Sequence, residues 1–374
     1  MKILFVTTIS NTVNTFLIPH IRMLIEQGHK VDVAFNIVQE VDSKLIELGC
    51  TVHKLEFTRI PIKKQNFTAY KKLKKIIQNE QYDLVHTHTP IASACVRLAC
   101  RKMVNVKVIY TAHGFHFYKG APLRNWIIFY SMERIVAHFT DSIITMNKED
   151  FNAAKKMKLK TNDSVYKING IGVNLNKFTP QNLNKKNKLR MEFGYNQDDL
   201  ILFYAAELNS NKHQDLLINA VKLLKSKIPN VKLLLAGNGD LRENYEEQVK
   251  KLGLQGNVEF LGFRKDIPEL LSITDIAVAS SRREGLPVNI MEAMAIGLPL
   301  VVTNCRGQRD LVIDGENGFV VGIDDYEDFA NSIEKLYKLK QLRQQFGEKS
   351  IKLVKQYSLE NVMKEMKDVY KNYL

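Results

Sequence analysis

Two glutamates, Glu284 and Glu292, stand with seven residues between them, and those residues begin Gly285-Leu286-Pro287. Ahead of the pair, Ile276-Ala277-Val278-Ala279-Ser280 is short, apolar and suited to a strand. Within it, Pro287 suits the first position of a helix, and Gly297 with Pro299 marks its stop. The loop from Ser280 to Leu286 is therefore expected at a helix N-terminus, where unpaired N–H groups and the helix dipole attract a phosphate. A carboxylate beside a bound anion repels it unless it faces another part of the ligand, so both glutamates read as acceptors for hydroxyl groups. Phosphate and hydroxyls together describe a sugar nucleotide. The plainer alternative makes Glu284 a helix-capping acid and Glu292 a solvated helix residue. Met291, Ala293, Met294 and Ala295 weigh against it, because a lone acid in a tightly packed helix is costly unless paired or bound.

The elements that must carry this loop are those of a parallel α/β protein. Lys2 to Thr8 reads as a buried strand, Phe16, Leu17, Ile21, Leu24 and Ile25 follow at helical spacing, and Val31 to Phe35 is the next strand. In such sheets ligands lie at the carboxyl ends of strands. Ser10 and Asn11 follow the first strand. His86 and His88 end the strand 82–88, and His113 follows the strand 108–112 beside Gly114. His86 and His88 are taken to alternate faces, as core and cap residues or as functional ones; no carboxylate at ligand spacing makes them a metal pair. The polar run Thr179 to Lys188 reads as a linker. A second unit then repeats the pattern, with strands at 200–206, 231–236, 258–261 and 299–303 and a helix at 215–224.

With 374 residues, 45% hydrophobic and 25% charged, the chain has room for two domains with full cores. No apolar run approaches the roughly 18–20 residues that span a bilayer. Cys50, Cys95, Cys100 and Cys305 lack Cys-x-x-Cys spacing, so neither a disulfide framework nor a zinc site is indicated. The net charge of +14 is uneven: residues 1–180 carry +13 and residues 181–374 carry +1. An anionic partner for the first half follows, either an acidic membrane surface or nucleic acid. The run from Arg59 to Lys75 mixes six lysines and an arginine with Ile, Phe, Tyr and Leu. That interleaving suits an anionic membrane surface, with a solvated helix face as the alternative. No nucleic-acid motif accompanies it, and nucleic acid is not expected as a partner. The aromatic stretch from Phe115 to Phe129 is either a second membrane-facing element, the mouth of a lipid-acceptor groove, or a buried aromatic helix.

Glu-Gly-Leu-Pro, the paired glutamates and Glu-Ala-Met-Ala-x-Gly-x-Pro resemble the donor-site signature of glycosyltransferase family four, retaining enzymes of the GT-B fold. Val302 to Leu311 and Asp314 to Phe319 also fit, and the resemblance covers nearly the whole chain. It implies two Rossmann-like domains with parallel sheets facing across a cleft. Residues 1–180 would form the acceptor-side domain, 181–356 the nucleotide-sugar domain, and 357–374 a helix crossing back to the first. It implies a UDP-sugar donor, no other cofactor and no metal, since no Asp-x-Asp ends a strand. Glu284, His113 and Lys212 would be catalytic. Glu292, Gly285, Leu286, Pro287, Glu207, Asn209, Arg264, Asn169, Arg282 and Arg306 would bind the donor, and Ser10, Asn11, His86 and His88 would face the acceptor. Two departures bear on this: Glu207 stands where relatives place an arginine, and Arg306-Gly307-x-Arg309 replaces a paired glycine. Both variants are associated with bacterial enzymes that extend polyprenyl-diphosphate-linked saccharides for capsule, exopolysaccharide or glycoprotein synthesis, working from the cytoplasm on the inner face of the membrane. A sugar-nucleotide epimerase and a non-catalytic membrane scaffold are the alternatives; a nicotinamide dehydrogenase is disfavoured because Gly237-Asn238-Gly239 and Gly170-Ile171-Gly172 lack a third glycine.

Overall fold

Short apolar runs alternate with helices along the chain, and in the computed structural model they assemble into two separate parallel sheets. The structure describes residues 1–58, 60, 63–161 and 164–374. Arg59, Pro61 and Ile62, at the start of the basic run, lie outside the described residues. The chain divides into a first unit, Met1–Ile171 with Glu360–Leu374, and a second unit, Gly172–Leu359.

The first unit contains β1 (Lys2–Ile9), β2 (Lys30–Asn36), β3 (Val52–Lys54), β4 (Leu84–His88), β5 (Lys107–Ala112), β6 (Ser142–Thr145) and β7 (Val165–Lys167). They lie in the order β3-β2-β1-β4-β5-β6-β7. Phe5 pairs with Val33 on one side and His86 on the other. Because β1 is flanked by β2 and β4, the winding reverses there. That reversal opens a crevice at the strands' carboxyl ends, beside Ser10 and His88. Helices cover the sheet, so its strands read as continuous apolar runs and not as alternating ones. Within this unit the C-terminal helix, Leu359–Tyr370, buries Val362, Met366, Val369 and Tyr370, spaced at helical period. The basic run becomes the helix Lys64–Glu80, with Asn66, Ala69, Leu73 and Ile77 turned inward and Lys71, Lys72, Lys74 and Lys75 exposed. Phe115 and Phe117 are core, whereas Leu123, Ile127 and Ile128 are exposed, so the stretch is not a single buried aromatic helix.

The second unit contains β8 (Leu200–Ala205), β9 (Val231–Ala236), β10 (Val258–Gly262), β11 (Ile276–Ala279), β12 (Leu300–Thr303) and β13 (Gly318–Val321), in the order β10-β9-β8-β11-β12-β13. Its reversal falls between β8 and β11, whose carboxyl ends carry Glu207 and Ser280. The expected linker is corrected here. Asn182 caps a helix, Leu183–Glu192, accepting the Lys185 N–H. Lys186 and Arg190, one turn apart, reach Asp275 at 2.7 and 2.6 Å. The run is polar because its solvent face is lysine-rich, not because it is unstructured. Pro287 is also corrected: its backbone is extended (ψ 122°), and the helix begins one residue later, spanning Val288–Ile296. The stop at Gly297 is a left-handed residue with φ +83°.

Candidate functional site

The loop after β11 is held by the loops after β8 and β12. Ser280 Oγ donates to the Lys212 carbonyl at 2.8 Å, and the Arg282 N–H donates to the Asn211 carbonyl at 2.8 Å. Asn211 Nδ2 donates to the Arg283 carbonyl at 3.0 Å. From the other side, Thr303 Oγ1 donates to the Ser281 carbonyl at 2.6 Å and Arg306 Nε to the Glu284 carbonyl at 2.9 Å. Gly307 explains why a bulkier residue is excluded there. It has φ +83°, and a Cβ on it would come within 2.5 Å of the Gly285 carbonyl oxygen.

These bonds fix the Glu284 carboxylate. Its Oε1 receives the Ser281 hydroxyl at 2.6 Å and the Lys212 ammonium. Tyr204, buried at the end of β8, backs Ser281 at 2.7 Å. Both contacts use Oε1, which leaves Oε2 as an acceptor. Burial alone would lower the Lys212 pKa, but Glu284 and Tyr204 beside it carry it above its usual value. Lys212 therefore stays charged, at the mouth of a helix N-terminus that is itself a partial positive charge. A diphosphate and a polyol are what this arrangement can hold.

Glu292 lies one turn into the helix Val288–Ile296. It borders a small cavity with Tyr204, Asn289 and Leu271, and burial raises its pKa to about 7, opposed by Lys177. Asn289 Nδ2 bonds the Ala205 carbonyl at 3.0 Å, tying the helix start to β8. Gly285, Leu286 and Pro287 form the turn between the two carboxylates. The other residues selected for the donor are placed as follows. Glu207 is exposed. Asn209 Oδ1 accepts the Lys212 N–H at 3.0 Å, shaping the turn that presents the lysine. Arg306 is buried behind the loop; Arg282 is paired with Asp324 at 2.7 Å and touches His213. Arg264 is paired with Asp266. Asn169 belongs to the first unit, where its N–H and side-chain amide bond Glu365 of the C-terminal helix at 2.8 and 2.6 Å.

In the first unit, His86 and His88 share one face, with ring centroids 4.3 Å apart. The expectation of alternating faces is wrong, because side chains two apart on a strand must point the same way. They cluster with the buried His20 and the half-buried His113. His86 bonds Tyr370 Oη at 2.6 Å and Thr111 Oγ1 at 2.8 Å, and His88 Nδ1 lies 3.0 Å from His113 Nε2. Nε2 of both His20 and His88 is buried without a partner among the described residues. Burial lowers all four imidazole pKa values, those of His20 and His113 to about 4. Ser10 Oγ is occupied by the 38–39 backbone, accepting two N–H groups and donating to the Gln39 carbonyl. The neighbouring Asn11 Oδ1 is buried and has no partner among the described residues. No group of three or more histidine, cysteine or acidic side chains able to hold a metal occurs among the described residues.

Sequence reasoning overlooked Ser281, Tyr204 and His20. Ser281 stands three residues before Glu284, the spacing of a local side-chain contact, and His20 interrupts the apolar run Ile18 to Ile21; Tyr204 gives no local signal.

Comparison with known proteins matches both units to transferases. Residues 185–353 match the model of glycosyl transferases group 1, and residues 2–147 match that of glycosyl transferase 4-like proteins. EpsD of Bacillus subtilis (strain 168) is 40% identical, covering 100% of this chain and 97% of its own. The UDP-Gal:alpha-D-GlcNAc-diphosphoundecaprenol alpha-1,3-galactosyltransferase of Escherichia coli is 28% identical over 80% of this chain and 77% of its own. Among solved structures, HepE of Anabaena in complex with UDP-glucose superposes with a TM-score of 0.82 over 100% of both chains at 20% identity, a likeness of fold. Two parallel sheets of the GT-B kind, family models matched on both of them and a full-length relative at 40% identity converge on one assignment: this chain belongs to the group 1 glycosyltransferases, family four of the GT-B fold.

Proposed function

We propose that the chain transfers a hexose or N-acetylhexosamine from a UDP-sugar to a hydroxyl of a polyprenyl-diphosphate-linked saccharide, with retention at the anomeric carbon, in the assembly of a bacterial polysaccharide or glycan. The observation that carries this reading is the Lys212–Glu284 pair at the N-terminus of the helix Val288–Ile296. As the glycosidic C–O bond breaks, negative charge grows on the leaving diphosphate, and the charged lysine and free helix N–H groups stabilise it. Glu284 Oε2 accepts from donor-sugar hydroxyls and Glu292 from the ribose. His113 donates a hydrogen bond to the donor sugar. The departing phosphate takes the acceptor's proton, so no acid–base carboxylate pair is required, unlike glycoside hydrolysis.

The Escherichia coli relative's name, with UDP-Gal as donor and a diphosphoundecaprenol-linked sugar as acceptor, supports the donor and acceptor classes. The UDP-glucose held by HepE supports the donor. The +13 charge of residues 1–180, the exposed lysines of the helix Lys64–Glu80 and the exposed Phe67 support an anionic membrane surface as the place of work, on the inner face of the membrane. No helix among the described residues is long and apolar enough to cross a membrane.

The test is consumption of UDP-glucose, UDP-galactose and their N-acetylated counterparts, with and without a polyprenyl-lipid fraction, by the native chain and by Glu284→Ala. Sugar entering the lipid fraction, and lost in the variant, is the expected result. Equal turnover with and without lipid overturns the acceptor assignment in favour of hydrolysis or epimerisation, and absence of UDP-sugar binding overturns the donor assignment.

A further inference from the structure

The buried histidines of the first unit contain an asymmetry with a chemical consequence. His88 makes one hydrogen bond among the described residues, from Nδ1 to His113 Nε2 at 3.0 Å, while its Nε2 is buried and unpartnered. Burial among His86, His113 and His20 holds the His88 pKa down, so the ring is neutral and carries a single N–H. If that proton sat on Nε2, a buried donor would have no protein acceptor among the described residues, a costly arrangement in a folded protein. With the proton on Nδ1, the donor is satisfied and only a lone pair is left without a partner. The second arrangement is favoured, and it has one outcome for the neighbour: His113 Nε2 accepts and carries no proton. His113 is neutral too, so its proton must sit on Nδ1.

We infer that His88 is a positioning residue that locks His113 in the Nδ1–H tautomer, so that the half-buried His113 offers a fixed hydrogen-bond donor and has no basic nitrogen available on that edge. The surroundings support a rigid arrangement. His88 stacks on Phe5 with centroids 5.7 Å apart and lies against His86, which is itself held at both nitrogens by Tyr370 and Thr111. The orientation of a ring by a partner on its far nitrogen is the same device that fixes catalytic and metal-binding imidazoles elsewhere. The consequence for catalysis rests on the proposed contact between His113 and the donor sugar; the tautomer itself does not.

Two measurements separate these layers. In the full chain labelled with [15N]histidine, long-range 15N–1H spectra distinguish protonated from unprotonated ring nitrogens, with the His113 signals identified by their loss in His113→Ala. Protonated Nδ1 and unprotonated Nε2 at His113 are expected; the reverse overturns the proposal without reference to activity, and the wild-type spectrum needs no variant to fold. Kinetically, His88→Leu removes the donor, while His88→Asn restores an N–H close to the position of Nδ1. With the UDP-sugar the native chain consumes, kcat is expected to fall about a hundredfold in His88→Leu at nearly unchanged donor KM, and to recover in His88→Asn to within about threefold of native. Equal losses in both variants would reduce His88 to a core residue. Full activity in His113→Ala would instead overturn the proposed role of His113, leaving the tautomer result standing.

Discussion

The loop after β11 and the histidines at the ends of β4 and β5 occupy corresponding places, the carboxyl ends of strands in a doubly wound sheet, yet they are built on opposite plans. Around Glu284 the charges are paired and the backbone carbonyls of 281, 283 and 284 are bonded from two sides, by Asn211 after β8 and by Thr303 and Arg306 at the end of β12. Around His88 there are three further imidazoles and, among the described residues, no counter-charge in contact and two ring nitrogens of the cluster without a partner. The first plan keeps a cation charged in a partly dry site, where it acts strongly on charge that develops in a reaction. The second keeps proton carriers neutral, which turns them from acids and bases into hydrogen-bond devices of fixed direction. The two proposed roles, leaving-group stabilisation at Lys212 and sugar orientation at His113, would ask for those two environments.

The contrast breaks first at Lys212. Lys212→Met removes the cation while Ser281 still holds Glu284, so the fold should survive and kcat for sugar release should fall about a hundredfold. Initial rates of UDP-sugar consumption read this directly; a loss below about threefold would mean that the helix N-terminus alone carries the diphosphate charge. The next effect is on stability. Gly307→Ala drives a Cβ against the Gly285 carbonyl in a left-handed backbone and should cost roughly 2–3 kcal/mol in urea unfolding. Gly315→Ala is the control, with φ +76° but open space around it, and should cost only about 1 kcal/mol. Comparable losses at the two sites would show that backbone strain, not the closeness of the two loops, sets the cost. A smaller effect probes the histidine side: Tyr370→Phe leaves His86 Nδ1 without its 2.6 Å partner and should cost about 1 kcal/mol, with His86 still held by Thr111.

How much of this was legible in the sequence follows from how local each feature is. Strand, loop and helix from Ile276 to Gly297 are announced within twenty-odd residues by an apolar run, a proline and a glycine, and they stand where expected to within one residue. The partners that fix Glu284 are another matter. Tyr204 and Ser281 lie 77 positions apart, and only the adjacency of β8 and β11 brings them together. β13 was hidden for a different reason: its four residues, Gly318–Val321, follow an Asp-Gly turn and are too few to establish a period. The helix Leu183–Glu192 is not legible because its inward positions are filled by the buried Arg190 and the half-buried Lys186, whose apolar stems and shared carboxylate partner imitate nothing in a hydropathy pattern.

Glu292 stands between the two plans, a half-buried carboxylate in the second unit that, like the histidines, has no counter-ion in contact among the described residues. Its folded pKa of about 7 lies above that of a free glutamate because burial penalises the charged form. Between the two values the folded chain binds more protons than the unfolded chain, so this group's contribution to stability falls as pH rises through that window and is lowest above 7. Glu292→Gln removes the penalty while keeping the shape. It should raise Tm by roughly 2–4 °C at pH 8, with a gain that shrinks toward pH 5, where the native carboxyl is already protonated in the fold. The same variant should raise the donor KM at pH 8, since an amide accepts the ribose hydroxyls less strongly than a carboxylate. A more stable chain that binds its donor less well is the signature of a group kept for a ligand. Were Tm to rise with KM unmoved at every pH, Glu292 would be a buried defect and the ribose would have to be held elsewhere.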